Sequence, residues 1–226
     1  MHQINIRPEI IERVMKRRGR IHMHPSIDPA KTALVVIDMQ NTFCAEGSPA
    51  EVAASRGIVP NLNTLTPKLR ELGVPVIWVL HANESYGEYS DWDMFYNHIV
   101  AGDIRERTLL ANAPTNQAVY TELQTKEGDI TIVKNRYSAL IPGSSSLERV
   151  LRSRGIDTIL IAGTKTNVCC ESTARDAMML DFKVVMLSDC CASLSDEEHR
   201  SALENIVQQF GNVVDSKELF TLFART

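Results

Sequence analysis

One alternation constrains this chain more than any other feature. Short β-branched apolar runs are each followed by a polar turn and then by a segment with helical spacing. The runs cover residues 31–38, 74–81, 129–134, 158–162 and 183–187, with a short sixth at 213–214. Runs that are apolar on both faces read as central strands of a parallel sheet with helices on either side. Strand–helix alternation needs crossover connections, which are right-handed. The pattern predicts a doubly wound three-layer α/β/α sandwich around a mostly parallel six-stranded sheet.

Helical spacing covers residues 7–18, 59–72, 144–154, 168–180 and 195–210, with Gly73, Gly155 and Gly211 as stops. Pro67 counts against an unbroken helix over 59–72. Residues 1–30 read as an N-terminal helical extension, and the sheet-forming region as 31–226. Segments 39–57 and 82–128 are irregular. The second of these carries Tyr86, Tyr89, Trp92, Phe95 and Tyr96, which read either as a cover over a pocket or as packing of the excursion.

At 226 residues, with 44% apolar and 23% charged residues, the chain can bury one sizeable core. Its net charge of −4 argues against nucleic acid or an anionic membrane surface as partner. No apolar run reaches the ~20 residues of a membrane span. Five cysteines, Cys44, Cys169, Cys170, Cys190 and Cys191, are an odd number and include two adjacent pairs. That usage fits reduced thiols and a cytoplasmic location, not a disulfide framework.

Function in such sheets gathers beyond the carboxyl ends of the strands. Asp38 ends the first run, Lys134 ends the third, and Cys169 follows the fourth across a short turn, in the first turn of a helix. Taken singly, each has a bland reading as a cap, a solvated lysine or a core thiol. Together on one rim they could hydrolyse an amide through a thioester. Asp38 would take the thiol proton, Cys169 would attack as thiolate, and Lys134 would hold the acid ionised and stabilise the thiolate. Backbone N–H groups of the turn before Cys169 could bind the oxyanion. A helix start favours an anionic sulfur.

The stretches Val-Val-Ile-Asp38-Met-Gln-Asn-Thr-Phe, Lys134-Asn-Arg-Tyr-Ser and Gly163-Thr-Lys-Thr-Asn-Val-Cys169-Cys-Glu-Ser-Thr-Ala-Arg-Asp resemble the isochorismatase-like superfamily of cysteine hydrolases. The resemblance implies an Asp38–Lys134–Cys169 triad and a non-proline cis peptide at Thr164–Lys165. It also implies an oxyanion hole made by the N–H groups of Lys165 and Cys169. The motif wording is most similar to ureidoacrylate, biuret and N-carbamoyl hydrolases. The implied substrate is therefore a small amide, ureide or N-carbamoyl compound, cleaved with water and with no cofactor. Homodimers or homotetramers are usual in the superfamily.

Nicotinamidase-type members carry an Asp-x-His metal motif where this chain has His81-Ala-Asn83, so no metal is expected. Isochorismatases proper lack the nucleophilic cysteine. These two activities remain alternatives of the same fold, and a thiol-based redox sensor is a rival from another class, resting on Cys190-Cys191. Gln40, Asn41, Phe43, His81, Trp92, Tyr96, Arg136 and Tyr137 are the candidate substrate contacts near the rim.

Overall fold

In the computed structural model, which describes residues 2–86, 89–100, 102–103, 105–106 and 114–223, the first apolar run is strand β1 (Thr32–Ile37), buried along its whole length. The other strands of the sheet are β2 (Val76–His81), β3 (Ile130–Lys134), β4 (Thr158–Thr164), β5 (Lys183–Ala192) and β6 (Asn212–Val214). Their order is β3-β2-β1-β4-β5-β6, and every pairing is parallel. The chain moves outward from β1 to β3, then crosses back to β4 on the other side of β1. That reversal opens a crevice at the carboxyl ends of β1 and β4, the usual ligand position in an open α/β sheet.

Alternate residues of each central strand enter two separate cores. Leu34, Val36, Val76, Trp78, Leu160 and Val185 face one core, and Val35, Ile37, Ile77, Val79, Ile161 and Met186 face the other. Among the described residues, five helices of seven residues or more are α1 (Pro8–Arg18), α2 (Val59–Glu71), α3 (Leu147–Ser153), α4 (Glu171–Met179) and α5 (Asp196–Asn205). Helix α2 covers the first face through Leu62, Leu65 and Leu69. Leu147 and Leu151 of α3, Ala174 and Ala177 of α4 and Leu203 of α5 cover the second. This is the three-layer sandwich.

Helix α2 runs through Pro67 without a break. Ser195 caps α5 by accepting from the Glu198 N–H at 3.2 Å, and Glu198 returns the bond to the Ser195 N–H. Strand β5 is longer than its apolar run predicts. Between the pairs Ile161↔Met186 and Gly163↔Cys191 it carries a bulge, so polar Ser188 and Asp189 interrupt the periodicity without ending the strand. Cys190 and Cys191 consequently lie inside β5, one facing each core, and not on the rim beyond it. Of the irregular segment 82–128, residues 87–88, 101, 104 and 107–113 lie outside the described residues.

Candidate active site

Asp38 follows β1 directly. Its N–H donates to Val79 O at 2.8 Å, and its backbone adopts the left-handed conformation with φ +55°. A non-glycine residue there costs ~1–3 kcal/mol, and Asp is among the side chains that tolerate it best. The turn aims the carboxylate into the crevice. Lys134 and His81 are the last residues of β3 and β2 and lie opposite each other in register. Cys169 sits in a wide helical turn, Thr166–Cys170, that carries the chain from β4 into α4. Gly163 makes this approach possible: a Cβ there would stand 2.0 Å from the Ile37 carbonyl oxygen.

Lys134 Nζ lies 2.9 Å from Asp38 Oδ2, 3.1 Å from His81 Nδ1 and 3.0 Å from the Arg136 carbonyl oxygen. Of its three N–H donors, the ammonium directs hydrogen bonds to His81 Nδ1 and the Arg136 carbonyl, while its charge pairs with Asp38. Lys134 is fully buried and Asp38 is 1% exposed. The Asp38 contact is an ion pair whose direction departs from good hydrogen-bond geometry, so the carboxylate lone pairs are not fully used. Because Lys134 donates to His81 Nδ1, the neutral imidazole carries its proton on Nε2, which faces Asn83 Oδ1 at 2.6 Å. Burial and the Lys134 charge push the His81 pKa down to about 3, so the ring stays neutral.

Cys169 is 7% exposed and lies close enough to Asp38 and Lys134 for both charges to act on it. Burial and the neighbouring Asp38 hold its thiol well above the usual range. Desolvation here outweighs Lys134 and the helix start, both of which favour an anionic sulfur. Burial also lifts the Asp38 carboxyl above the ordinary carboxylate range, with Lys134 opposing it. Burial works against the Lys134 ammonium, but Asp38 and then Cys169 outweigh it and keep its pKa above 10.5.

The peptide Thr164–Lys165 is cis. Thr164 is tied by its hydroxyl to Ala192 O at 3.2 Å. The Lys165 carbonyl accepts from the N–H groups of Val168 and Cys170, passing over that of Cys169 between them. The Lys165 N–H has no backbone acceptor among the described residues.

A cavity of about 240 Å³ opens on these groups. Of the candidate contacts, Gln40, Phe43, His81, Trp92, Tyr96 and Tyr137 line it. Trp92 packs edge-on against Tyr137 at 4.7 Å and stacks on Phe95 at 5.0 Å, forming an aromatic wall. Gln40 is committed elsewhere, since its amide grips the His81 backbone at both ends, at 2.7 and 3.0 Å.

Two candidates lie outside the cavity lining. Arg136 does not line the cavity. Its guanidinium donates to the carbonyls of Asp91 and Asn135 and lies over the Trp92 ring at 5.2 Å. Asn41 turns away to donate to Thr115 O at 2.6 Å. Residues absent from the candidate list include Thr42, Val52, Phe95 and Val168, which also line the cavity. Phe95 was discoverable, being three residues from Trp92 in an aromatic cluster. Val52 carried no such signal.

Fold and site together define a doubly wound parallel α/β protein with a thiol, a carboxylate and an ammonium group gathered at its switch point. Residues 32–218 match the isochorismatase domain, and the chain belongs to the isochorismatase family. The ureidoacrylate amidohydrolase RutB of Klebsiella pneumoniae subsp. pneumoniae is 32% identical over 204 residues, 84% of this chain and 86% of that protein. RutB of Rhizobium rhizogenes is 32% identical over 200 residues, 82% and 80% of the two chains. Among solved structures, a cysteine hydrolase from Pseudomonas syringae pv. phaseolicola superposes with a TM-score of 0.72 at 29% identity, covering 88% of this chain and 95% of the other. Nicotinamidase/pyrazinamidase PncA from Bacillus subtilis gives a TM-score of 0.69 at 26% identity, covering 82% and 100%.

Proposed function

We propose that this protein is a cysteine-dependent amidohydrolase that cleaves the C–N bond of a small amide, ureide or N-carbamoyl compound through a thioester. The observation that carries this reading is that Asp38 and Cys169 both line the cavity, with the buried Lys134 ammonium paired to Asp38 at 2.9 Å. The family and its ureidoacrylate amidohydrolase relatives favour the same chemistry.

Asp38 takes the Cys169 proton as sulfur attacks the substrate carbonyl carbon, so a thiolate exists only while the bond forms. The oxyanion develops towards the N–H groups of Lys165 and Cys169; one such donor is worth ~3–4 kcal/mol in the transition state. Asp38 then protonates the departing nitrogen, the C–N bond breaks, and ammonia or an amine leaves behind a thioester. A water molecule gives its proton to Asp38 and attacks the thioester carbonyl. Collapse of that adduct expels sulfur, which recovers its proton from Asp38, and the acid is released. Lys134 keeps its charge throughout and balances whichever of Asp38 and Cys169 is anionic. The Trp92–Tyr137 wall and Phe43 favour a substrate with a flat, largely apolar body.

The test is ammonia release across a panel of amides, ureides and carbamoyl compounds, with wild type beside Cys169→Ala. Turnover by wild type, its loss in the variant and a trapped acyl-enzyme mass on Cys169 are expected. Full activity in Cys169→Ala would sink the assignment.

A further inference from the structure

The first two residues of the turn that carries Cys169 are held through residues that pack against His2. Thr166 Oγ1 lies 2.8 Å from His199 Nδ1, and Asn167 Oδ1 accepts from the Ser193 hydroxyl at 2.5 Å. Both supports converge on His2. Its ring stacks on His199 with centroids 4.4 Å apart and planes 18° from parallel. Its Nε2 accepts the Ser193 N–H at 2.9 Å. With Nε2 an acceptor, the ring proton lies on Nδ1, facing Asp196 Oδ1 at 2.6 Å. The His2 side chain is only 6% exposed.

The extension is anchored well enough to place it. The Arg7 guanidinium forks onto Glu204 of α5 at 2.5–3.0 Å, and Arg13 and Arg17 donate to Gln208 and Gln209 beyond that helix. Ile10 and Val14 of α1 are buried. Thr166, Ser193 and His199 are each at most 1% exposed, so water does not readily replace these bonds.

We propose that His2 is a positioning residue for the catalytic turn, fixing Thr166 through His199 and Asn167 through Ser193. It thereby sets the placement of the Lys165 and Cys169 N–H groups. This rests on the amidohydrolase reading for its kinetic consequence but not for its structural one. A segment more than 160 residues upstream thus supports the turn that carries Cys169, and the N-terminal extension is part of the working enzyme.

The experiment compares wild type, His2→Phe and His2→Gln by steady-state kinetics, thermal melting and amide hydrogen exchange. His2→Phe keeps a ring over His199 but removes both nitrogens. It should lower kcat about tenfold with KM little changed, because small misplacements of a reacting group carry costs of this order or more. Exchange over residues 163–170 should quicken severalfold while other core segments and Tm hold. His2→Gln, whose amide oxygen can accept the Ser193 N–H, should restore part of both effects. Unchanged kcat and unchanged exchange over 163–170 in His2→Phe would overturn the proposal. So would a loss of kcat that only follows loss of folded protein. If wild type hydrolyses no amide, the amidohydrolase reading has failed, and exchange over 163–170 alone decides the role of His2.

Discussion

Lys134 Nζ stands 3.1 Å from His81 Nδ1, and the contact follows from the parallel register that sets His81 opposite Lys134 at the ends of two neighbouring strands. The imidazole is thereby held neutral, and with the Arg136 carbonyl it orients the ammonium beside Asp38 and Cys169.

The pH dependence follows from this arrangement. With the Asp38 carboxyl raised above 3.8 and required as a base, kcat/KM should rise along an acid limb lying above that value. His81 should contribute no limb near 6.5, because burial and Lys134 push its pKa down to about 3. Nor should activity climb through 9.0, since the Cys169 thiol is held well above it and gives its proton to Asp38 directly. A pH profile of kcat/KM checks all three, and a rise centred on an ordinary thiol pKa would contradict the Asp38 role.

Adjacent sulfurs should behave differently. Cys170 is fully buried, 3.9 Å from the Ala162 carbonyl oxygen and facing the core, not the cavity. Cys170→Ala should keep most of the activity and lose ~1 kcal/mol of stability, as for one buried atom of that size. Cys169→Ala should lose all turnover and still melt near the wild-type temperature. Denaturant unfolding and turnover, measured side by side, separate the two.

Metal removal should leave turnover intact. Both ring nitrogens of His81 are already engaged, Nδ1 by Lys134 and Nε2 by Asn83, which leaves no lone pair aimed at the cavity from this position. Dialysis against a chelator followed by assay tests this. Inactivation reversed by a divalent cation would show that the Lys134–His81 contact is not the working state.

Gly163 should tolerate no side chain. It combines φ +117° with a Cβ position overlapping the Ile37 carbonyl, which belongs to backbone and cannot rotate away. Gly163→Ala is expected to cost about 3 kcal/mol, or a Tm fall of about 6–12 °C in a chain of this size. It should also displace the turn and depress kcat more than KM. Calorimetry and kinetics on the same preparation check both parts.

Asp38, Lys134 and Cys169 were legible as candidates because each closes or follows an apolar run, and residue type together with strand ends are local properties. The three-layer sandwich was legible for the same reason, since its strands alternate with helices along the chain. What could not be read locally depended on neighbours distant in sequence. Arg136 follows Lys134 by two residues, yet the Asp91 carbonyl draws it behind Trp92. Strand β5 continues past its polar interruption because β4 supplies the pairing partners beyond the bulge.

The sheet, its helices and the chemical kinds of group at the rim follow from periodicity and residue type, which are written in consecutive residues. Which groups touch, and in what protonation state, depends on how distant segments pack. Strand register joins His81 to Lys134, burial keeps Cys169 a thiol, and helix docking carries His2 to Ser193. Each arises from contacts and desolvation between segments far apart in the chain, and no local pattern records them.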